Sequence, residues 1–257
     1  MFEEYHDDIN FYNNHFYILA FIQVMYLPTI YFIYNYMKDK QPLNCKTYMG
    51  IWNMMLAVFS MYCTRYITYP LLVNTNSLEV SVCTDTLAYN DLTLNKWRGF
   101  FVLSKFPEMI DTVWIAVRKR KLTVLQLWHH FSVCLYCWLI VTEKNSVNHT
   151  LAGGYGTYFA GMNSFVHSIM YSYYAIVSLS SFRSNMIAQC ITFLQTSQMV
   201  LGIMILLYKT FNCVIMTNYY EVIFSYVMYG SYLYLFMMYY MNRYGRSLKK
   251  DHTKKLH

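Results

Sequence analysis

Lys105, Glu108 and Asp111 lie three residues apart in an otherwise apolar stretch, and His129 and His130 stand side by side in the next one. Steps of three advance a side chain by about 300° around a helix, so the three charges fall within a sector of roughly 120° and face one place. An ion pair alone would only fix packing. Two acids against one base, however, need a further donor. The adjacent imidazoles point about 100° apart, so one can reach a reaction centre while the other packs or bonds to a neighbour. A neutral imidazole can act as a covalent nucleophile, and a carboxylate can hold it in the reactive tautomer.

The polar residues that follow keep helical spacing. Gln126 precedes the histidines by one turn. Asn163, His167, Met170 and Tyr174 recur at four, three and four residues, with Tyr171 and Tyr173 beside them. Thr192, Gln195 and Gln198 recur at three. Membrane helices use such groups simply to hydrogen-bond to one another. Four successive helices that all carry polar stripes would together line a chamber.

Composition sets these residues in a membrane. Of 257 residues, 56% are hydrophobic, 19% aromatic and 13% charged, and that charged share is about half the one found in soluble domains. Seven apolar runs reach the length of about 20 residues that a hydrocarbon core of about 30 Å requires. They are Phe16–Met37, Thr47–Thr64, Gly99–Val117, Leu122–Thr142, Gly154–Ser178, Asn185–Tyr208 and Val222–Met241. No linker, low-complexity tract or repeat divides the chain. The reading is an all-α polytopic membrane protein, a single domain over residues 1–257, with a kink offered by Pro28 in the first span.

Basic residues divide fourteen to five between the two sets of connecting segments. The positive-inside rule then puts the C-terminal tail in the cytosol and the N-terminus on the other side. Glu3, Glu4, Asp7 and Asp8 make an acidic start, unlike that of a signal peptide. The net charge of +7 thus reports topology and lipid contact, and no nucleic-acid partner is expected. Lys254 and Lys255, followed by Leu256 and His257, match a dilysine retrieval signal for the endoplasmic reticulum. Cys83 and Cys213 both fall in non-cytosolic, oxidising loops and form a candidate disulfide, with Cys63 as a competitor. The sequon at Asn148 lies on the same side.

Taken in order, these motifs resemble those of the ELO-type fatty acid elongases, the membrane 3-oxoacyl-CoA synthases. The matching residues are Lys105-x-x-Glu108-x-x-Asp111-Thr112, the histidine box ending in His129-His130, Asn163-x-x-x-His167-x-x-Met170-Tyr171-x-Tyr173-Tyr174, and Thr192-x-x-Gln195-x-x-Gln198. The family box is His-x-x-His-His, and here Gln126 holds its first position. Glutamine cannot be protonated and can only donate or accept hydrogen bonds, so an orienting role is expected of it.

The resemblance implies condensation of malonyl-CoA with a long-chain acyl-CoA to 3-oxoacyl-CoA, carbon dioxide and CoA, with no resident cofactor or metal. It implies an acyl-histidine at His129 facing His167, with the roles of His129 and His130 open to exchange. An enolate would meet His167 and Asn163, Glu108 or Asp111 would orient an imidazole, and Lys105 would balance charge or meet a thioester or phosphate. Thr112, Tyr171, Tyr174, Gln195 and Gln198 complete the expected substrate site. Arg118, Lys119, Arg120 and Lys121 stand where CoA phosphates would arrive, or serve only as an orientation signal. Spans two to seven would enclose an acyl tunnel whose depth sets chain length. Lys121 and Trp128 match the pattern of the branch that uses saturated and monounsaturated chains.

Two other classes compete. A di-iron desaturase or hydroxylase needs many ligands, whereas only His129, His130 and His167 among the eight histidines lie inside spans. A seven-span receptor or transporter would share the topology but gives no reason for the ordered motifs. Beyond substrates and membrane lipid, the expected partners are the other enzymes of the elongation cycle and a second copy of the chain.

Overall fold

The computed structural model describes residues 15–74, 77–84, 91–142, 153–180, 182–213 and 219–245. Lys254, Lys255 and Asn148 lie outside the described residues. Among the described residues every regular element is helical. They are α1 (Phe16–Met37), α2 (Lys46–Cys63), a π-helical turn (Thr64–Thr68), α3 (Tyr69–Val73), α4 (Leu78–Cys83), α5 (Leu92–Glu108), α6 (Ile110–Val117), α7 (Val124–Thr142), α8 (Gly153–Leu179), α9 (Asn185–Asn212), α10 (Tyr219–Tyr240) and a final π-helical turn (Met241–Gly245).

Several helix starts are written in the sequence. Ser77, Asp91 and Ser184 each accept a hydrogen bond from the backbone N–H three residues on, which satisfies one of the orphan donors of a first turn. Three helices, Phe16–Met37, Asn185–Asn212 and Tyr220–Tyr244, are long and apolar enough to cross a membrane. On α1 the outward residues are aromatic and aliphatic: Tyr17, Tyr31, Val24 and Phe32 are 85%, 71%, 69% and 68% exposed. Such a face calls for lipid. The chain is therefore a polytopic membrane protein.

Six of the seven expected spans close into a ring. The long helix α8 lies along α2 and α9, α9 packs on α10, α10 on α7, α7 on α5, and α5 returns to α2. Outside this ring, α1 rests on α6 and α7. Its buried polar side chains make the junction: Gln23 donates to the Phe131 carbonyl at 2.7 Å, and Tyr26 and Thr112 share a 2.8 Å hydrogen bond. Through Pro28 the helix runs unbroken.

The third expected span departs from Gly99–Val117. Helix α5 begins earlier, at Leu92, because Asp91 caps it, and the helix is interrupted at Met109. Pro107 has no N–H to give. Beyond it, Met109 N bonds to Phe106 O and Thr112 N to Met109 O, both spanning three residues instead of four, so the turn tightens.

At the far end, α4 packs on α8 and α9, and a Cys83–Cys213 disulfide ties it to the end of α9. Cys63 is a free, fully buried thiol. The seating of α4 depends on Gly154, where a Cβ would come within 1.8 Å of the Ser81 carbonyl oxygen. Backbone cannot move aside as a side chain can. Gly154→Ala is therefore expected to destabilise by about 1–3 kcal/mol, seen as a fall of several degrees in the melting temperature of detergent-solubilised protein. Gly230→Ala, where nothing lies within 4 Å of a new Cβ, should hold or raise that temperature.

Candidate active site

Two chambers meet inside the ring. The first, of about 70 Å³, is walled by apolar and aromatic side chains, among them Val102, Tyr136, Phe159, Met228 and Tyr229. The second is larger, about 410 Å³, and more polar, with Asp111, Gln126, His130, His167 and Gln195 among its lining residues. Four residues line both: His129, Asn163, Gln198 and Met199. The junction is thus built by α7, α8 and α9. Since the polar chamber reaches Arg118, Arg120 and Lys121 and the apolar one reaches Arg98 and Gly156, the two point to opposite ends of the bundle.

Behind the junction lies a buried ring of polar groups. Lys105 Nζ donates to Glu108 Oε1 at 2.6 Å and to Asn163 Oδ1 at 3.0 Å. With its oxygen so engaged, the Asn163 amide presents Nδ2 to His167 Nε2, 3.1 Å away. His167 Nε2 therefore accepts, and the ring proton stands on Nδ1. That nitrogen faces Glu108 Oε2 at 3.7 Å, an oxygen with no hydrogen-bond partner among the described residues. Ser104 donates to Glu108 Oε1 at 3.1 Å. Lys105 and Glu108 are 2% and 3% exposed and line neither chamber. The lysine balances the charge of Glu108 and sets the Asn163 amide.

Asp111 does not join this ring. The break at Met109 separates it from Glu108, and it accepts instead from Trp52 Nε1 at 2.8 Å and from Tyr171 OH at 2.7 Å. The expectation that the three charges face one place therefore holds for Lys105 and Glu108 but not for Asp111. Both its oxygens are taken, so it braces α2 and α8 across the polar chamber. Thr112 is fully buried against Tyr26 and lines neither chamber.

The histidine pair behaves differently. Among the described residues neither the His129 nor the His130 ring makes a hydrogen bond. His129 packs at 5.4 Å from His130 and at 4.9 Å from the Tyr232 ring. The α10 side holds this turn in place: Tyr232 OH and Ser132 Oγ share a 2.6 Å hydrogen bond, and Trp128 Nε1 donates to Ser231 Oγ at 2.8 Å. Gln126 lines the polar chamber without bonding to either imidazole, so it does not orient them here. Gln195 donates to Met170 Sδ at 3.1 Å, Gln198 is buried at the junction, and Tyr174 lines the wall. Among the described residues, no three His, Cys, Asp or Glu side chains converge as a metal set would require.

The basic run divides. Lys119 adopts a left-handed backbone (φ 52°) and its Nζ donates to the carbonyls of Lys38 and Lys40, so it ties two connecting segments together and leaves the chamber. Arg118, Arg120 and Lys121 line the chamber mouth. Sequence reasoning missed Trp52, Ser104, Ser231 and Tyr232, which carry no motif. Only their positions on helix faces opposite the motifs could have found them.

Residues 11–254 match the family described as ELO: GNS1/SUR4. Very long chain fatty acid elongase 6 of Mus musculus is 37% identical over 210 residues, covering 78% of this chain and 74% of that protein. Very long chain fatty acid elongase 4 of Trypanosoma cruzi (strain CL Brener) is 32% identical over 230 residues, covering 85% and 77%. Putative fatty acid elongase 3 of Caenorhabditis elegans is 33% identical over 196 residues, covering 75% and 58%. The match takes in both chambers and the polar ring behind their junction, and the chain belongs to the ELO (GNS1/SUR4) family.

Proposed function

We propose that this protein is a fatty acid elongase of the 3-oxoacyl-CoA synthase type, condensing malonyl-CoA with a long-chain acyl-CoA. One observation carries the reading: His129 opens onto both an apolar and a polar chamber and its ring makes no hydrogen bond among the described residues. An acyl chain in the apolar chamber and a CoA arm in the polar one would place the thioester carbon at this imidazole. Attack by a neutral ring nitrogen gives an acyl-imidazole and releases CoA. Malonyl-CoA, entering by the same mouth, loses carbon dioxide, and its enolate carbon takes the acyl group and returns the imidazole. His130 shares the polar wall but not the apolar one, which favours His129 as the acyl acceptor.

His167 and Asn163 stand nearest the developing enolate oxygen. The Lys105–Asn163–His167–Glu108 ring fixes the Asn163 amide, whose second Nδ2 proton is the donor kept preset for that oxygen, while the His167 proton stays aimed at Glu108. Asp111 acts through Trp52 and Tyr171 as a brace. Arg118, Arg120 and Lys121 receive CoA phosphates at the mouth.

The same reading gives the setting. Six helical spans form the ring and α1 a seventh outside it, with the N-terminus lumenal and the tail cytosolic in the membrane of the endoplasmic reticulum. The Cys83–Cys213 disulfide fits an oxidising lumenal face. Saturated or monounsaturated chains are the proposed substrates. The reductases and dehydratase of the elongation cycle, and a second copy of the chain, are the proposed partners.

Microsomes containing the expressed protein should turn labelled malonyl-CoA and an acyl-CoA into labelled 3-oxoacyl-CoA. His129→Ala should lower that rate by at least about 100-fold; an unaltered rate in a folded variant would remove His129 from the chemistry. Gln126→Ala should stay within about tenfold of the parent, because the side chain bonds to neither imidazole, where a fall matching that of His129→Ala would give this position an essential part. Lys105→Met should reduce kcat by about 10–100-fold with KM little changed, since the lysine sets geometry without touching substrate. A rise in KM alone would instead mean that Lys105 binds substrate.

A further inference from the structure

A separate pocket of about 270 Å³ opens beside the mouth of the polar chamber. Lys46 at the start of α2, Arg118 after α6 and Arg183 between α8 and α9 line it, with Met49, Ser178 and Ser180. Three cations thus converge from three separate stretches of chain. No acid lines the pocket, and among the described residues none of the three is ion-paired. Arg118 donates to the Met49 sulfur at 3.0 Å, which positions the guanidinium without neutralising it. Lys46 and Arg183 are exposed and Arg118 is half-buried, and cations gathered this way favour an anion among them. Arg118, Met49 and Ser178 also line the polar chamber, so the two spaces adjoin.

A CoA thioester carries anionic groups at two places. The pyrophosphate follows the pantetheine arm directly, whereas the 3′-phosphate stands farther out on the ribose. With the thioester at His129, the arm fills the polar chamber and the pyrophosphate meets Arg120 and Lys121 at its mouth. The next anion outward reaches the adjoining pocket. Resting on the elongase reading above, we infer that Lys46, Arg118 and Arg183 bind the ribose 3′-phosphate, so that the protein distinguishes CoA from dephospho-CoA.

The test compares malonyl-CoA with malonyl-dephospho-CoA in condensation by the full-length protein and its Lys46→Ala/Arg183→Ala variant. Loss of a charge-assisted phosphate contact should raise the wild-type KM about tenfold for the dephospho substrate. In the variant the two substrates should share one KM, because mutation and phosphate removal delete the same interaction. A wild type that condenses both substrates with equal KM, or a variant that keeps the wild-type ratio, overturns the inference while leaving the elongase reading standing. Absence of condensation in the wild type strikes that reading instead. A second measurement then still decides the pocket: adenosine 3′,5′-bisphosphate should raise the melting temperature of the wild type more than adenosine 5′-monophosphate does, and this difference should vanish in the variant. An equal effect of the two nucleotides, or the same shift from inorganic phosphate or from phosphatidic acid in nanodiscs, would mean a general phosphate or headgroup site and overturn the 3′-phosphate assignment.

Discussion

The Lys105–Glu108 ion pair constrains everything around it. A lysine and a glutamate, each almost wholly buried inside a bundle of membrane helices, are tolerated because their charges meet and most of their donors and acceptors are used, with Glu108 Oε2 left to face His167 at 3.7 Å. Glu108 Oε1 takes the lysine and Ser104, and the lysine spends a second proton on Asn163 of α8. The pair can therefore exist only where α5 and α8 are close. Asn163 in turn has a single orientation available, and through it His167 has a single tautomer. One electrostatic requirement propagates across two helices to set which nitrogen of an imidazole carries its proton.

The two chambers divide the substrate problem by polarity. Apolar side chains and aromatic rings fill one end of the bundle; amides, hydroxyls, imidazoles and then guanidinium groups succeed one another toward the other. A ligand with an oily tail and a polyanionic head has one orientation in such a space, and its junction atom falls where the chambers share their wall. Geometry of this kind does the work of alignment before any chemistry begins.

Much of this was legible in the sequence. Apolar runs of membrane length marked out the helices, and spacings of three and four put Asn163, His167 and Gln198 toward the interior. Charge in an apolar run set Lys105, Glu108 and Asp111 together as two acids and one base in need of a further partner, of which Lys105 and Glu108 do pair. What the sequence concealed was local backbone detail and partners that carry no charge. Periodicity assumes an unbroken helix, so it could not show Asp111 turning away beyond Met109, nor foresee that Lys119 would adopt a left-handed conformation and leave the basic run. Trp52, Ser231 and Tyr232 are ordinary membrane-helix residues until a partner helix is placed opposite them.

Because α1 stands outside the ring, its place in the order of synthesis differs from its place in the assembly. Among the described helices it is made first, yet the groups that satisfy Gln23 and Tyr26, the Phe131 carbonyl and Thr112, belong to segments made about a hundred residues later. Until then a glutamine and a phenol must wait in lipid, held there only by the mean hydropathy of 1.8 of the helix that carries them. The docking of α1 therefore records that α6 and α7 have already arrived.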